Sequence, residues 1–104
     1  MGTLFYGSNR LEVQFDDRVL AHLQIVMTAK LRRGEGFILS WTDGVSAGSG
    51  RSMVWITPVT DLHYRFSGNR PPSINRTWLD ELASLANTAP GLYVTEEGTL
   101  TPLT

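Results

Sequence analysis

Apolar positions recur along the chain at two spacings, and the switch between them divides it into elements. Leu11, Val13 and Phe15 alternate with Glu12 and Gln14, the period-two pattern of a strand with one wet face. The apolar run at 3–6 is joined to it by Gly7-Ser8-Asn9-Arg10, a composition that predicts a hairpin. The spacing then changes. Leu20, Leu23, Met27 and Leu31 fall three and four apart, with Val19 and Val26 widening the stripe, which predicts a helix of about 16 residues lying on a sheet. Asp16 or Asp17 supplies its N-cap, while Lys30, Arg32 and Arg33 gather at its negative end before Gly34.

Period two returns in three segments, 37–41, 52–57 and 62–66. The glycine-rich link at 43–50 reads as a hairpin loop, Pro58 marks the second link, and short links between successive strands predict an antiparallel meander. A double proline, Pro71-Pro72, stiffens the next loop. A second helix then begins at Asn75, with Ile74 and Leu79 placed to form a hydrophobic staple and Trp78, Leu82, Leu85 and Ala86 as its buried stripe. Pro90-Gly91 stops it and 92–95 forms a last short strand. The expected class is α+β: a small antiparallel sheet, element order ββαβββαβ, with two helices packed on one face. One domain over 1–95 and a polar, fraying tail over 96–104 complete the organisation.

Composition narrows the chemistry. The chain has 104 residues, 41% hydrophobic and 18% charged, enough for one core and too apolar for a disordered chain. It contains no cysteine, which removes disulfides, thiolate nucleophiles, iron–sulfur clusters and cysteine-ligated zinc. Nothing approaches the ~18 consecutive apolar residues of a membrane helix. The N-terminus shows no basic stretch followed by an apolar run, so a cytoplasmic location is expected.

The formal net charge of −1 conceals a layout. Residues 18–76 hold eight basic side chains against Glu35, Asp43 and Asp61, while the flanking segments are acidic. Eight of the nine bases are arginine, the side chain suited to bidentate recognition of phosphate or carboxylate. On the presumed sheet, Arg51, Met53 and Trp55 alternate on one side of a strand, and Asp61, His63 and Arg65 on one side of its neighbour. Arg70 and Arg76 follow on the next loop and helix start, and Arg32 and Arg33 close the first helix. An indole interleaved with guanidinium groups can stack bases and track phosphates.

Other constellations point to structure. His22 and His63 lack a nucleophile-elbow serine nearby, so no catalytic residue is assigned. The glycine-rich loop does not have phosphate-loop spacing, and it leads into a strand where that motif leads into a helix. Asn75-Arg76-Thr77 has the form of a glycosylation sequon, but a helix cap explains it. Adjacent acids at Asp16-Asp17 and Glu96-Glu97 point to opposite faces in a strand, so no metal site and no cofactor is expected.

The runs Gly2-Thr3-Leu4-Phe5-Tyr6-Gly7, Phe15-Asp16-Asp17-Arg18-Val19-Leu20-Ala21-His22-Leu23-Gln24, Lys30-Leu31-Arg32-Arg33-Gly34-Glu35, Gly50-Arg51-Ser52 and Gly68-Asn69-Arg70-Pro71-Pro72-Ser73-Ile74-Asn75-Arg76 resemble a family of short, uncharacterised bacterial proteins. The resemblance extends to about residue 95. Members often carry the label ATP-dependent DNA ligase, which implies adenylation of the lysine in a Lys-x-Asp-Gly motif. Here the only lysine, Lys30, opens Lys30-Leu31-Arg32-Arg33, and the one Asp-Gly pair lies in Trp41-Thr42-Asp43-Gly44. The chain is therefore expected to be a non-catalytic binding module that meets nucleic acid or another anion through Arg51, Trp55, Arg65, Arg70, Arg76, Arg32 and Arg33. The alternative is a protein-interaction or self-assembly module, a homo-oligomer included. No membrane partner is expected.

Overall fold

A computed structural model describes residues 1–42 and 50–97. The elements are β1 (Gly2–Tyr6), β2 (Leu11–Phe15), α1 (Asp17–Arg32), β3 (Phe37–Thr42), β4 (Arg51–Ile56), β5 (Leu62–Arg65), α2 (Arg76–Ala86) and β6 (Leu92–Tyr93). The α+β class and the element order follow the patterning. Most of the loop predicted at 43–50 lies outside the described residues, as do residues 98–104.

Local chemistry explains the element ends. The β1–β2 hairpin closes through the Arg10 N–H, which donates to the Gly7 carbonyl at 3.0 Å, with both residues at positive φ. Asp16 is the N-cap of α1, but its side chain makes no capping bond. Asp17 instead reaches across to the loop after β5, where its carboxylate accepts from the Gly68 N–H at 2.9 Å and the Ser67 N–H at 3.1 Å. These two donors hold the Asp17 carboxyl below its ordinary range. At α2 the prediction is met directly, since the Asn75 side chain accepts from the Trp78 N–H at 3.2 Å.

The strands form two sheets of three, ordered β2-β1-β5 and β4-β3-β6, where the sequence reading has one sheet. The meander is corrected at its third strand: β5 pairs antiparallel with β1, not with β4. The cause lies in the link. The Thr60 N–H donates to the Thr57 carbonyl and the Thr57 N–H to Thr60 Oγ1, at 3.0 and 2.9 Å. This closed turn carries the chain past the end of β4 instead of back along it. The Gly7 N–H then takes the Asp61 carbonyl at 2.8 Å, and pairing continues along β1. A second correction concerns the last strand, because β6 lies parallel to β3, with Leu39 opposite Leu92. The helical crossover through α2 makes a parallel return possible where a tight turn could not.

The two sheets share one core. Leu4, Leu20, Leu23, Met27, Leu39, Ile56, Trp78, Leu82 and Leu92 are fully enclosed, and the Phe15 and Trp41 rings meet edge to face at 6.1 Å between β2 and β3. Tyr64 points into this core from β5, where burial pushes its hydroxyl pKa up to about 12. The helices are joined by His22, which is completely buried. Its Nδ1 lies 2.7 Å from the Arg18 carbonyl, and its Nε2 accepts from the Asn75 N–H at 2.9 Å. That pair of partners requires the neutral ring with the proton on Nδ1. The ring also packs on Trp78, with centroids 4.5 Å apart.

Beside this joint, Arg18 holds Glu97 in a two-pronged ion pair, with both N···O distances 2.6 Å, and gives a further bond to the Ser73 carbonyl. Asn75 Nδ2 donates to the same Glu97 carboxylate at 2.8 Å. The chain is fastened at Glu97, within the segment 96–104 expected as a polar tail, because a charged fork and an amide converge on it.

Two outcomes follow. Gly91 has φ +95, and a Cβ there would come 2.4 Å from the Ile38 carbonyl oxygen. Gly91→Ala should therefore cost on the order of 2–3 kcal/mol in denaturant unfolding, with β6 the first element to lose amide protection. The Arg18 and Asn75 donors hold the Glu97 carboxyl at about 2, against an ordinary 4.5. A depressed carboxyl stabilises the fold above its unfolded value, and that contribution fades as pH falls from about 4.5 towards 2. Acid unfolding of Glu97→Gln should be flatter than wild type across that window and lie closer to wild type at its acid end.

Candidate binding face on the second sheet

Strand β4 turns Val54 and Ile56 towards the core and leaves Arg51, Met53 and Trp55 exposed on the opposite side. The expected alternation is present, with Trp55 at 57% and Met53 at 58% of full exposure. Register places Thr42 opposite Arg51, Ser40 opposite Met53 and Ile38 opposite Trp55. On the other side of β3, Tyr93 stands opposite Ser40. Because paired residues share a face, Arg51, Met53, Trp55 and Tyr93 belong to one surface, with the small, buried Ser40 between Met53 and Tyr93.

The face is held in place from below and from the side. Tyr93 Oη and Thr42 Oγ1 are 2.8 Å apart, which fixes the phenol along the sheet. The absence of a side chain at Gly36 makes room for the Trp55 indole, since a Cβ there would come 3.3 Å from Trp55 Cζ2. The Trp55 carbonyl accepts from Tyr6 Oη at 2.6 Å, tying the end of β4 to β1. Stacking on an aromatic ring needs such restraint, because ordering a loose side chain consumes part of the contact energy.

The other predicted arginines are not brought to this face. Arg65 is exposed on β5, in the other sheet, so the neighbour relation assumed between β4 and β5 is corrected: the turn at Thr57–Thr60 separates them. Arg70 borders a cleft of about 390 Å³ between α1 and the Pro71-Pro72 loop. Arg76 is the first residue of α2, Arg32 the last of α1, and Arg33 its C-cap. Arg33 lies 3.3 Å from Glu35, which also takes Lys30 at 3.0 Å. Among the described residues, Arg32, Arg51, Arg65, Arg70 and Arg76 form no ion pair.

A separate aromatic group lies on the first sheet. Arg10 sits 4.3 Å above the Phe5 ring, and His63 packs against Phe5 with centroids 5.1 Å apart. Glu12 and His63 flank Phe5 on the two neighbouring strands, so an acid stands beside this group. Tyr93 is the member of the β4 face that sequence reasoning missed. Its alternation with Leu92 was the available signal, but only the parallel pairing with β3 reveals which face it joins.

Among the described residues, no group of three or more His, Asp or Glu side chains is placed to hold a metal ion, and no helix is long and apolar enough to cross a membrane. A family model described as Domain of unknown function (DUF7882) matches residues 1–97, and the chain belongs to that family. No curated protein and no solved structure matches it.

The three tryptophans should separate cleanly in solution, since Trp41 is 9% and Trp78 2% exposed against 57% for Trp55. Acrylamide quenching of wild-type fluorescence should show one accessible component. Trp55→Phe should abolish that component while leaving thermal unfolding nearly unchanged.

Proposed function

We propose that this DUF7882 domain is a binding module for single-stranded nucleic acid, with Arg51, Met53, Trp55 and Tyr93 as the contact face. The observation that carries the reading is an exposed indole and a guanidinium with no ion pair among the described residues, four residues apart on one face of the sheet with Met53 between them. Bases present a π-face whatever their sequence, so Trp55 and Tyr93 offer stacking surfaces while Arg51 meets a phosphate. Met53 supplies adaptable apolar contact between them. Duplex DNA fits less well, because its bases are already stacked and the face offers few cations to its backbone.

Binding, not ligase-type adenylation, is the proposed activity. Lys30, the only lysine of the chain, is buried, donates to Asn87 Oδ1 at 3.0 Å and pairs with Glu35 at 3.0 Å. An ammonium engaged in this way is a poor nucleophile, because attack requires a free, neutral amine. These contacts support a structural role in which Lys30 ties the end of α1 to the end of α2.

Titration of a short single-stranded oligonucleotide at low salt should quench Trp55 fluorescence. Trp55→Ala should weaken binding by about 1–3 kcal/mol. Arg51→Ala should reduce the slope of log affinity against log salt by about 0.7. Arg76→Ala, away from the face, serves as the comparison and should leave the slope within about 0.3 of wild type. Absence of binding at low salt, or equal losses from Arg51→Ala and Arg76→Ala, would refute the reading.

A further inference from the structure

The strand that carries the contact face is also the edge of its sheet, and its backbone directions can be worked out. The Ser40 carbonyl accepts from the Val94 N–H at 3.0 Å, so Ser40 directs its backbone towards β6. Its neighbours Leu39 and Trp41 therefore face β4, where their partners are Val54 and Ser52. By alternation, Arg51, Met53 and Trp55 direct their N–H and C=O groups to the free edge. The Tyr6 hydroxyl on the Trp55 carbonyl agrees with this assignment. No other hydrogen bond reaches this edge from the described residues.

Such an edge is a template for another strand, and natural edges are commonly guarded by proline, lysine or a bulge. Arg51–Ile56 contains no proline and no lysine, and its register with β3 is continuous from Arg51 to Ile56. We infer that β4 pairs antiparallel with β4 of a second copy of this chain, joining two three-stranded sheets into one of six strands about a two-fold axis at Met53.

The sequence of the edge selects this occupant and this register. With Met53 opposite the partner's Met53, residues 51, 53 and 55 exchange backbone bonds along the whole edge. Arg51 then stands directly opposite the partner's Trp55. The guanidinium, which has no ion pair within its own chain among the described residues, gains an aromatic face, and symmetry repeats the contact. Shifting the register by two residues shortens the ladder and loses both cation–π pairs. Tyr6 marks the limit of pairing at Trp55, where it occupies one of the two lone pairs of the carbonyl. The outer faces of both copies become one continuous platform. The pairing itself does not depend on what the platform binds.

The test is the oligomeric state of the intact chain without oligonucleotide. Light scattering and sedimentation equilibrium should show a dimer that dissociates on dilution. Met53→Glu sets two carboxylates against each other at the axis and should raise the dissociation constant at least about tenfold. Its thermal unfolding in dilute solution, where the chain is a monomer, should match wild type, because Met53 is exposed. Since the chain has no cysteine, Met53→Cys reports the register: Cα atoms of a hydrogen-bonded antiparallel pair lie about 5.5 Å apart, within disulfide reach. Mild oxidation should link Met53→Cys chains in pairs and leave Thr28→Cys chains, with the thiol exposed on α1, largely unlinked. A strictly monomeric wild type, a dimer indifferent to Met53→Glu, or equal linking at both positions would overturn the inference. A monomer that still binds oligonucleotide would overturn it while leaving the contact face intact.

Discussion

A strand in a sheet has two edges, and how each is satisfied decides which surfaces a small fold can offer. In this chain the decisive pairing is β5 with β1. Had β5 returned along β4, it would have completed a meander and covered the edge that stands open among the described residues. The hydrogen bonds between Thr57 and Thr60 prevent that return, and the Gly7 N–H captures the chain at Asp61. From this choice follow the division into two sheets, the isolation of Arg51 and Trp55 from Arg65, and the open edge of β4. The candidate face owes its position to a turn that contains none of its residues.

Division into two sheets creates a problem that the helices solve. Neither three-stranded sheet could bury enough apolar surface alone, so α1 and α2 must hold them over a common core. The joint between the helices is polar at its centre. His22 is fully buried and satisfied on both nitrogens, and Arg18 gathers Ser73 and Glu97 beside it. Buried polar groups of this kind are costly unless every partner is present. Their complete pairing therefore fixes where α2 begins and where the last strand is fastened. The face on β3, β4 and β6 inherits its rigidity from that arrangement.

Much of this was legible along the chain. Leu20, Leu23, Met27 and Leu31 located α1 because a helix buries every third or fourth residue. Asn75 located α2 because a side-chain acceptor is needed at a helix start. That Arg51, Met53 and Trp55 share a side followed from alternation, while the fold alone decided that this side is the exposed one. Tyr93, by contrast, could not be added to the face. Its partner Ser40 lies across a parallel pairing more than fifty residues distant, and no local pattern encodes it. The role of Glu97 was hidden for the same reason: it resembles a solvated acid until Arg18, on a helix far back in the chain, is brought against it.

The sequence by itself determined the elements, their order and which residues share a side of each, because periodicity and capping act within a few residues of one another. It also determined the chemistry that is missing, through the absence of cysteine and the placement of its only lysine. Only the tertiary structure decided which strands became neighbours, and therefore which of the many arginines stands with an aromatic ring. The physical reason is that backbone hydrogen bonds are interchangeable from one strand to the next. Partner choice falls to turns, side-chain joints and shared core volume, and those come into being only when distant parts of the chain meet.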